Sequence, residues 1–522
     1  SLMVLHTPRG YVVAGMHHLG NELGNDVFSI PLAQEIFSTY FESNPEVQGG
    51  TIHLSSKSAE RHIVQLHKKA TVRYVQNGTA AILGSFTGFR MQSKSRVSVT
   101  PMSHYLSTHG YRIKFGKPEM SSWEPWRIAL LDSVVPSERI NPCILNMATD
   151  GYITDILKEL TAEHLSTIHV YDDFTAINGA EGIAYVDKMN RKTSAGNPWK
   201  KSKQYFMEAC AAERGLNDPV VVDDEIMERA GNIIDLYESG SRAYPNFCAH
   251  LKDEATEFRK VKAKKTRVFT GAPFDFSIVV RKYLLSVVRV IQNNKLIFEA
   301  GPGTVAQSIE WQYLYEYITK FGEDRIAAGD FKAFDKRISP LFMMAAFDVL
   351  IALCESSGNY TASDLAVLRG IAVDTSYPLV DFRGDLIMFY GSNPSGHPLT
   401  VIINSIVNSL YMRYAYALAN PKGECSSFRE NVALFTYGDD NIMSISPNVP
   451  WFSHTTISAG LATIDITYTM ADKLAQSVPY ININDASFLK RKWRHDPDVG
   501  ALLAPLEHDS IEKQFMVWVR SS

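Results

Sequence analysis

Residues 433–441 read ALFTYGDDN. Ala433, Leu434, Phe435 and Tyr437 suit a buried strand, and Gly438 supplies a turn. Two carboxylates, Asp439 and Asp440, follow at once. Like charges side by side at a tight turn are either an idle, solvated loop or the two sides of a cation site. The nine residues leave both readings open, and the surrounding chain has to choose between them.

A second carboxylate pattern lies upstream. DRIAAGD (324–330) reads as a strand ending at Asp330, and FKAFD carries the chain on to Asp335. A carboxylate at the end of a buried strand is costly unless it is paired or bound to metal. Alone, Asp330 reads as a cap or loop residue; joined to Asp439 and Asp440, it reads as a metal ligand. Two metal ions about 4 Å apart, one at the attacking and one at the leaving oxygen, serve in-line phosphoryl displacement. Mg²⁺ takes hard oxygen ligands, usually one or two protein carboxylates plus substrate phosphates.

Between these stretches GSNPSGHPLTVIINSIVNS (391–409) opens a long helix, with a flexible Ser395-Gly396 start and Pro398 where a first turn tolerates it. Thr400, Asn404 and Asn408 recur at i, i+4 and i+8 as a narrow polar stripe. They are neutral hydrogen-bonders, unlike the Lys and Glu of a solvated face, and suit a sugar hydroxyl that both donates and accepts. FRKVKAKKTRVF (258–269) holds six cations between Arg259 and Arg267, preceded by KDE at 252–254. Val261, Ala263 and the following RVFTGAP read as strand edges rather than a disordered basic tail. Facing a triphosphate, these cations would offset its charge, with Arg267 able to bond it bidentately.

Composition narrows the classes. The 522 residues are 45% hydrophobic and 21% charged, ordinary for a globular chain of roughly two to four domains. The formal net charge of −4 excludes a global electrostatic footprint for nucleic acid, so a polyanion site has to be a local basic patch. Cys143, Cys210, Cys248, Cys354 and Cys425 are scattered, with no CxxC or Cys/His cluster, which argues against disulfides and zinc and for a reducing compartment. No apolar run reaches the roughly 18 residues that span a bilayer. SLMVLHTPRG is no signal peptide and lacks an initiator Met, and the expectation is a chain that begins inside a longer product.

Along the chain, residues 2–20 read as strand, TPRG turn, strand. SIPLAQEIFSTYF (29–41) reads as a short helix, and SNPEVQGG (43–50) is the best linker candidate in the first hundred residues. Helical and strand-like patterns then mix irregularly to about residue 300, which indicates an α+β class. From about residue 305 the order is helix, strand, two helices, the long helix and the opening hairpin.

The ordered set resembles the RNA-dependent RNA polymerases of picorna-like positive-strand RNA viruses. TSAGNP (193–198) is similar to their motif G, KDE…KKTR to motif F, DFKAFD to motif A and SGHPLTVIIN to motif B. YGDD matches motif C, YTMADK (468–473) resembles motif D and FLKRKWR (488–494) motif E. Seven motifs in order between Thr193 and Arg494 are far more specific than a lone GDD. The resemblance implies an α+β right hand of fingers, palm with an RRM-like antiparallel sheet, and thumb.

It also implies roles. Asp330 and Asp439 would ligate two Mg²⁺ ions, Mn²⁺ being possible, with Asp440 assisting. Asp335, Ser395, Gly396, Thr400 and Asn404 would read the ribose, and Lys260, Lys265 and Arg267 would hold the ribonucleoside triphosphate. Lys473 would be the general acid toward pyrophosphate. Ser194 and Gly196 would contact the RNA template, and Lys490 and Arg491 the primer strand. GYVVAGMHHLGN (10–21) resembles the end of the chymotrypsin-like cysteine proteases that precede such polymerases, with His17 in the S1 pocket. EVQGG then resembles their junction, cut between Gln48 and Gly49.

The expected division is a short β-rich protease remnant at 1–48, mainly fingers at 49–304, palm with finger insertions at 305–486, and motif E with the start of a truncated thumb at 487–522. Weak or absent activity without a full thumb is expected. The implied setting is the host cytoplasm at membrane-associated complexes, with other viral replication proteins as partners. Two rivals remain. A reverse transcriptase shares the paired aspartates but needs a barrier to the 2′-OH rather than Asp335 and Asn404. The other is an inactive RNA-binding or precursor fragment.

Overall fold

The computed structural model describes residues 94–134, 139–471 and 475–519, and the strands Met3–Thr7, Gly10–Ala14, Val47–His53 and Ala80–Phe86. The helix expected at 29–41, His17 and Lys473 lie outside the described residues.

Four strands form an antiparallel sheet in the order Val432–Tyr437, Asp440–Ile445, Ile326–Phe331, Tyr468–Thr469. Side chains alternate across it with period two. Ala327, Leu434 and Met443 point into the main core, against the long helix Thr400–Ala419 and the helix His454–Ala462. Ile326, Ala328, Phe435 and Ile442 point the other way, into a smaller core built by Trp311, Leu314, Phe488 and Trp493. Trp311 and Trp493 stack there with centroids 4.7 Å apart. A sheet covered on both faces needs near-continuous apolar strands, as in IAAGDF and VALFTY. The Thr400–Ala419 helix is buried on almost every side, which its apolar circumference permits.

A six-stranded sheet forms the second layer, in the order Val268–Gly271, Asn246–Leu251, Leu379–Phe382, Asp385–Phe389, Ala80–Phe86, Val47–His53. Its central hairpin, 379–389, is inserted between Asp335 and the Thr400 helix. Arg383 and Gly384, both at positive φ, close that hairpin, as a two-residue turn requires.

Three expectations change. The linker expected at 43–50 is strand from Val47 onward. Gln48 and Gly49 sit opposite Ser85 and Gly84, because a free sheet edge accepts Val47 and Ile52. The strand edges expected at Val261 and Ala263 are instead a short helix, Phe258–Lys262, capped at Ala263. Pairing in that arm stops at Thr256–Glu257. Lys, Arg and Ala then coil more readily than they extend without a neighbouring strand. Finally, Pro340–Ser357 is long and apolar enough to cross a membrane by composition. It carries Asp348 and Glu355, however, and packs Phe342, Met343, Ala346 and Leu350 into the main core. The two strands expected at the start are present and paired antiparallel, with Thr7 opposite Gly10.

Candidate active site

The hairpin closes at Tyr437 opposite Asp440, leaving Gly438 and Asp439 as its two-residue turn. Gly438 has φ +63°, a conformation disfavoured for other residues. Next to it runs the central strand, where Gly329 pairs with Asn441 and Asp330 with Thr469. A side chain at Gly329 would sit 2.3 Å from the Tyr468 ring, so this strand passes too close for any Cβ. Asp330, Asp439 and Asp440 thereby line one cavity of about 380 Å³, together with Asp485 and Lys490.

Burial raises the Asp439 carboxyl above its ordinary range, the charges of Asp335 and Asp330 add to this, and Arg267 opposes it. Burial also pushes Asp440 up to about 7, with Asp439 adding to it and the Leu489 N–H, donated to Oδ2 at 2.7 Å, holding it down. Asp440 is thus turned toward the segment 488–494, and Asp439 is left within reach of the Asp335 and Asp330 charges. Among the described residues no three His, Cys, Asp or Glu side chains close a ready metal cage. An open set of hard oxygens still fits a divalent ion that keeps water and phosphate ligands. Repelling, desolvated carboxylates are the situation a cation relieves.

The stripe expected to read the sugar is split. Asn404 Nδ2 donates to Asp335 Oδ1, and Asn393 Nδ2 donates to Asn404 Oδ1 at 2.8 Å. The Asn393 N–H also reaches the Asp335 carbonyl at 2.7 Å. Asn393 was not singled out by the sequence reading, although its place just before SGHP was the available signal. Thr400, by contrast, gives its hydroxyl to the carbonyls of Pro394 and His397, 2.8 Å away, and ties the helix start to the preceding loop. Asn408 donates to the carbonyls of Gly438 and Asp440 instead. Thr400 and Asn408 thus spend their donor hydrogens on backbone carbonyls that shape the site.

Ser395 and Gly396 are laced to the strand that follows the basic run. Ser395 exchanges two 3.1 Å bonds with Thr270, and the Gly396 N–H donates to the Thr270 carbonyl at 2.6 Å. A Cβ at Gly396 would meet that carbonyl oxygen at 2.3 Å. His397, fully buried, accepts the Leu399 N–H at Nδ1 (3.0 Å) and faces Thr375 Oγ1 from Nε2 (3.0 Å). Thr375 already donates to Ile371, so the Nε2–H tautomer of a neutral ring is assigned.

Of the cations, Lys260 pairs with Glu257 at 3.1 Å and Arg267 with Glu254 at 3.4 Å, both partly in solvent, and Lys265 is exposed. Lys336, not anticipated, gives Nζ to the Val268 carbonyl at 3.0 Å, and burial lowers its pKa. Ser194 is exposed and accepts the Gly196 N–H at 3.1 Å, while Gly196 lies at φ +72° against Ala272 and Pro273. Lys490 projects into solvent beside the carboxylate cavity. Arg491 does not project with it: its guanidinium donates to the Ala504 carbonyl at 2.6 Å and secures its own hairpin.

This geometry has relatives. A sequence profile described as viral RNA-dependent RNA polymerase matches residues 103–522. The chain is 26% identical over 550 residues to the replicase polyprotein of Drosophila C virus (strain EB), covering 98% of this chain and 30% of the polyprotein. Against that of acute bee paralysis virus (strain Rothamsted) it is 28% identical over 371 residues, 69% of this chain and 19% of the polyprotein. It therefore spans between a fifth and a third of these relatives. Its fold matches a solved Sicinivirus 3Dpol RNA dependent RNA polymerase with a TM-score of 0.70 at 17% identity, over 83% of this chain and 86% of that one. At that identity the likeness speaks for the right-hand fold alone. With the profile covering most of its length, the chain belongs to the viral RNA-dependent RNA polymerase family.

Proposed function

We propose that this chain extends an RNA primer on an RNA template by adding ribonucleotides to the 3′-OH and releasing pyrophosphate. The observation that carries the reading is the meeting of Asp330, from a strand end, and Asp439, from the neighbouring hairpin turn, on one cavity. Asp330 and Asp439 would hold two Mg²⁺ ions, or Mn²⁺, with Asp440 beside them, and the ions would supply the charge that activates the 3′-OH and eases departure of pyrophosphate.

The chain's own residues do the positioning. Asn404 and Asn393 fix Asp335, whose remaining acceptor capacity suits the donor of a ribose 2′-OH. That arrangement favours ribonucleotides and speaks against a reverse transcriptase. Arg267, Lys260 and Lys265 would exchange weak, exposed ion pairs for the triphosphate. Ser194 and Gly196 would guide the template and Lys490 the primer, through backbone contacts rather than base readout. Lys473 would protonate the leaving pyrophosphate. Catalysis is then mainly orientation plus preorganised charge. The working setting is the host cytoplasm at membrane-associated replication complexes, with other viral replication proteins as partners.

Primer extension with the four ribonucleotides tests this. Asp439→Asn is expected to lower the rate by about 10³-fold or more, the scale of losing a principal charge-stabilising group. Extension unchanged in Asp439→Asn would leave the inactive RNA-binding reading standing.

A further inference from the structure

The turn that carries Asp439 contributes little rigidity of its own. It has two residues, and one of them is a glycine. Its fixed partner is the Thr400–Ala419 helix. Ser405 Oγ accepts the Gly438 N–H at 2.9 Å, and it gives its own hydrogen to the Val401 carbonyl at 2.7 Å. Asn408 Nδ2 donates to the Gly438 carbonyl at 3.0 Å and to the Asp440 carbonyl at 3.2 Å. Both side chains are 0% exposed. The Asn408 amide has a single sensible orientation, because its flip would aim an oxygen at two carbonyls; its own Oδ1 is buried without a hydrogen-bond partner. Val401, Ser405 and Asn408, at i, i+4 and i+7, thus make one helix face that grips the turn on its N–H and C=O sides. Asn404, on the adjacent face, holds Asp335 instead.

We propose that Ser405 and Asn408 are positioning residues that set the affinity of the Asp439 turn for its divalent cation. Neither reaches the cation; each fixes the backbone from which Asp439 projects. The inference rests on the reading of Asp439 as a metal ligand. Removing a partner one shell out from a metal ligand costs about 10–100-fold in affinity, and that is the size expected here.

The test is Mn²⁺ binding by the full chain without RNA or nucleotide, read as loss of the free-ion EPR signal, with the melting temperature in EDTA recorded for each variant. Asn408→Ala and Ser405→Ala are expected to weaken Mn²⁺ by about 10–100-fold. Ser405→Thr keeps the hydroxyl and is expected to retain affinity. In primer extension the two alanine variants should lose kcat while KM for the nucleotide holds. If Asp439→Asn abolishes Mn²⁺ binding but Ser405→Ala and Asn408→Ala do not weaken it, the inference is overturned. If Asp439→Asn itself has no effect, the metal reading fails instead. Should Asn408→Ala not fold, the contrast between Ser405→Ala and Ser405→Thr decides alone.

Discussion

Asp335 and Asn404 were legible as a pair because their residue types and order match a ribose-reading arrangement, and the structure brings them into direct contact. The rest of the stripe was not legible, for a geometric reason. Four residues advance a helix by about 400°, so an i, i+4, i+8 row rotates about 40° per step. From Thr400 to Asn408 the row has turned far enough to meet first the loop before the helix, then Asp335, then the hairpin turn. Asn393 was missed because a loop residue carries no periodicity to betray its direction. At this scale Asn404→Ala is expected to leave Asp335 unoriented and to lower the preference for ribo- over deoxyribonucleotides by about 10–100-fold, the worth of one hydrogen bond to a charged group. Single-nucleotide incorporation of matched ribo and deoxy substrates measures it. An unchanged ratio would remove Asn404 from sugar recognition.

The elements were legible where apolar periodicity was strong, as in Ile326–Phe331, Thr400–Ala419 and the hairpin. They were not legible where charge dominated: FRKVKAKK has no apolar period to read, and with no neighbouring strand among the described residues it coils into a helix. Two elements carry their own predictions. The SGHP loop seats His397, which burial lowers to about 3. Its ring is neutral in the folded state and takes a proton on unfolding below about pH 6.5. Its contribution is therefore fully present above pH 6.5 and is lost as pH falls toward 3, at up to about 1.4 kcal/mol per unit. Urea unfolding at pH 7 and pH 5 should show a smaller pH difference in His397→Gln, and an unaltered difference would exclude this residue. Behind the hairpin, the Thr436 N–H is held by the Glu299 carbonyl, and the Glu299 carboxylate accepts two 2.8 Å bonds from fully buried Arg413. Burial alone would raise that carboxyl, but Arg413 and Arg429 hold it below its usual range. Glu299→Ala is expected to cost about 3–5 kcal/mol in urea unfolding, because it leaves a buried guanidinium short of its partner. A loss of about 1 kcal/mol or less, the worth of a surface pair, would show that Asp155, 2.9 Å from Arg413, suffices.

For the whole molecule, the α+β class and the order of motifs could be read from the chain, but the six-stranded sheet could not. It gathers strands from 47–53, 80–86, 246–271 and 379–389, and pairing over such separations leaves no local trace. That sheet bears on the Gln48–Gly49 bond, read as a protease junction. Within a paired strand the bond is shielded, since cleavage needs the backbone to leave its partner. Limited proteolysis by a Gln-specific protease, followed by mass spectrometry, should cut it slowly in the folded chain and faster in mild denaturant. Equal rates in both conditions would mean that this strand does not stay paired. Gly396 lies against backbone atoms, Thr270 O and Gly271 Cα, that cannot step aside for a side chain. A compound resting on the exposed side of Gly396 would therefore press on a contact that replacement of this glycine cannot reshape without breaking the loop.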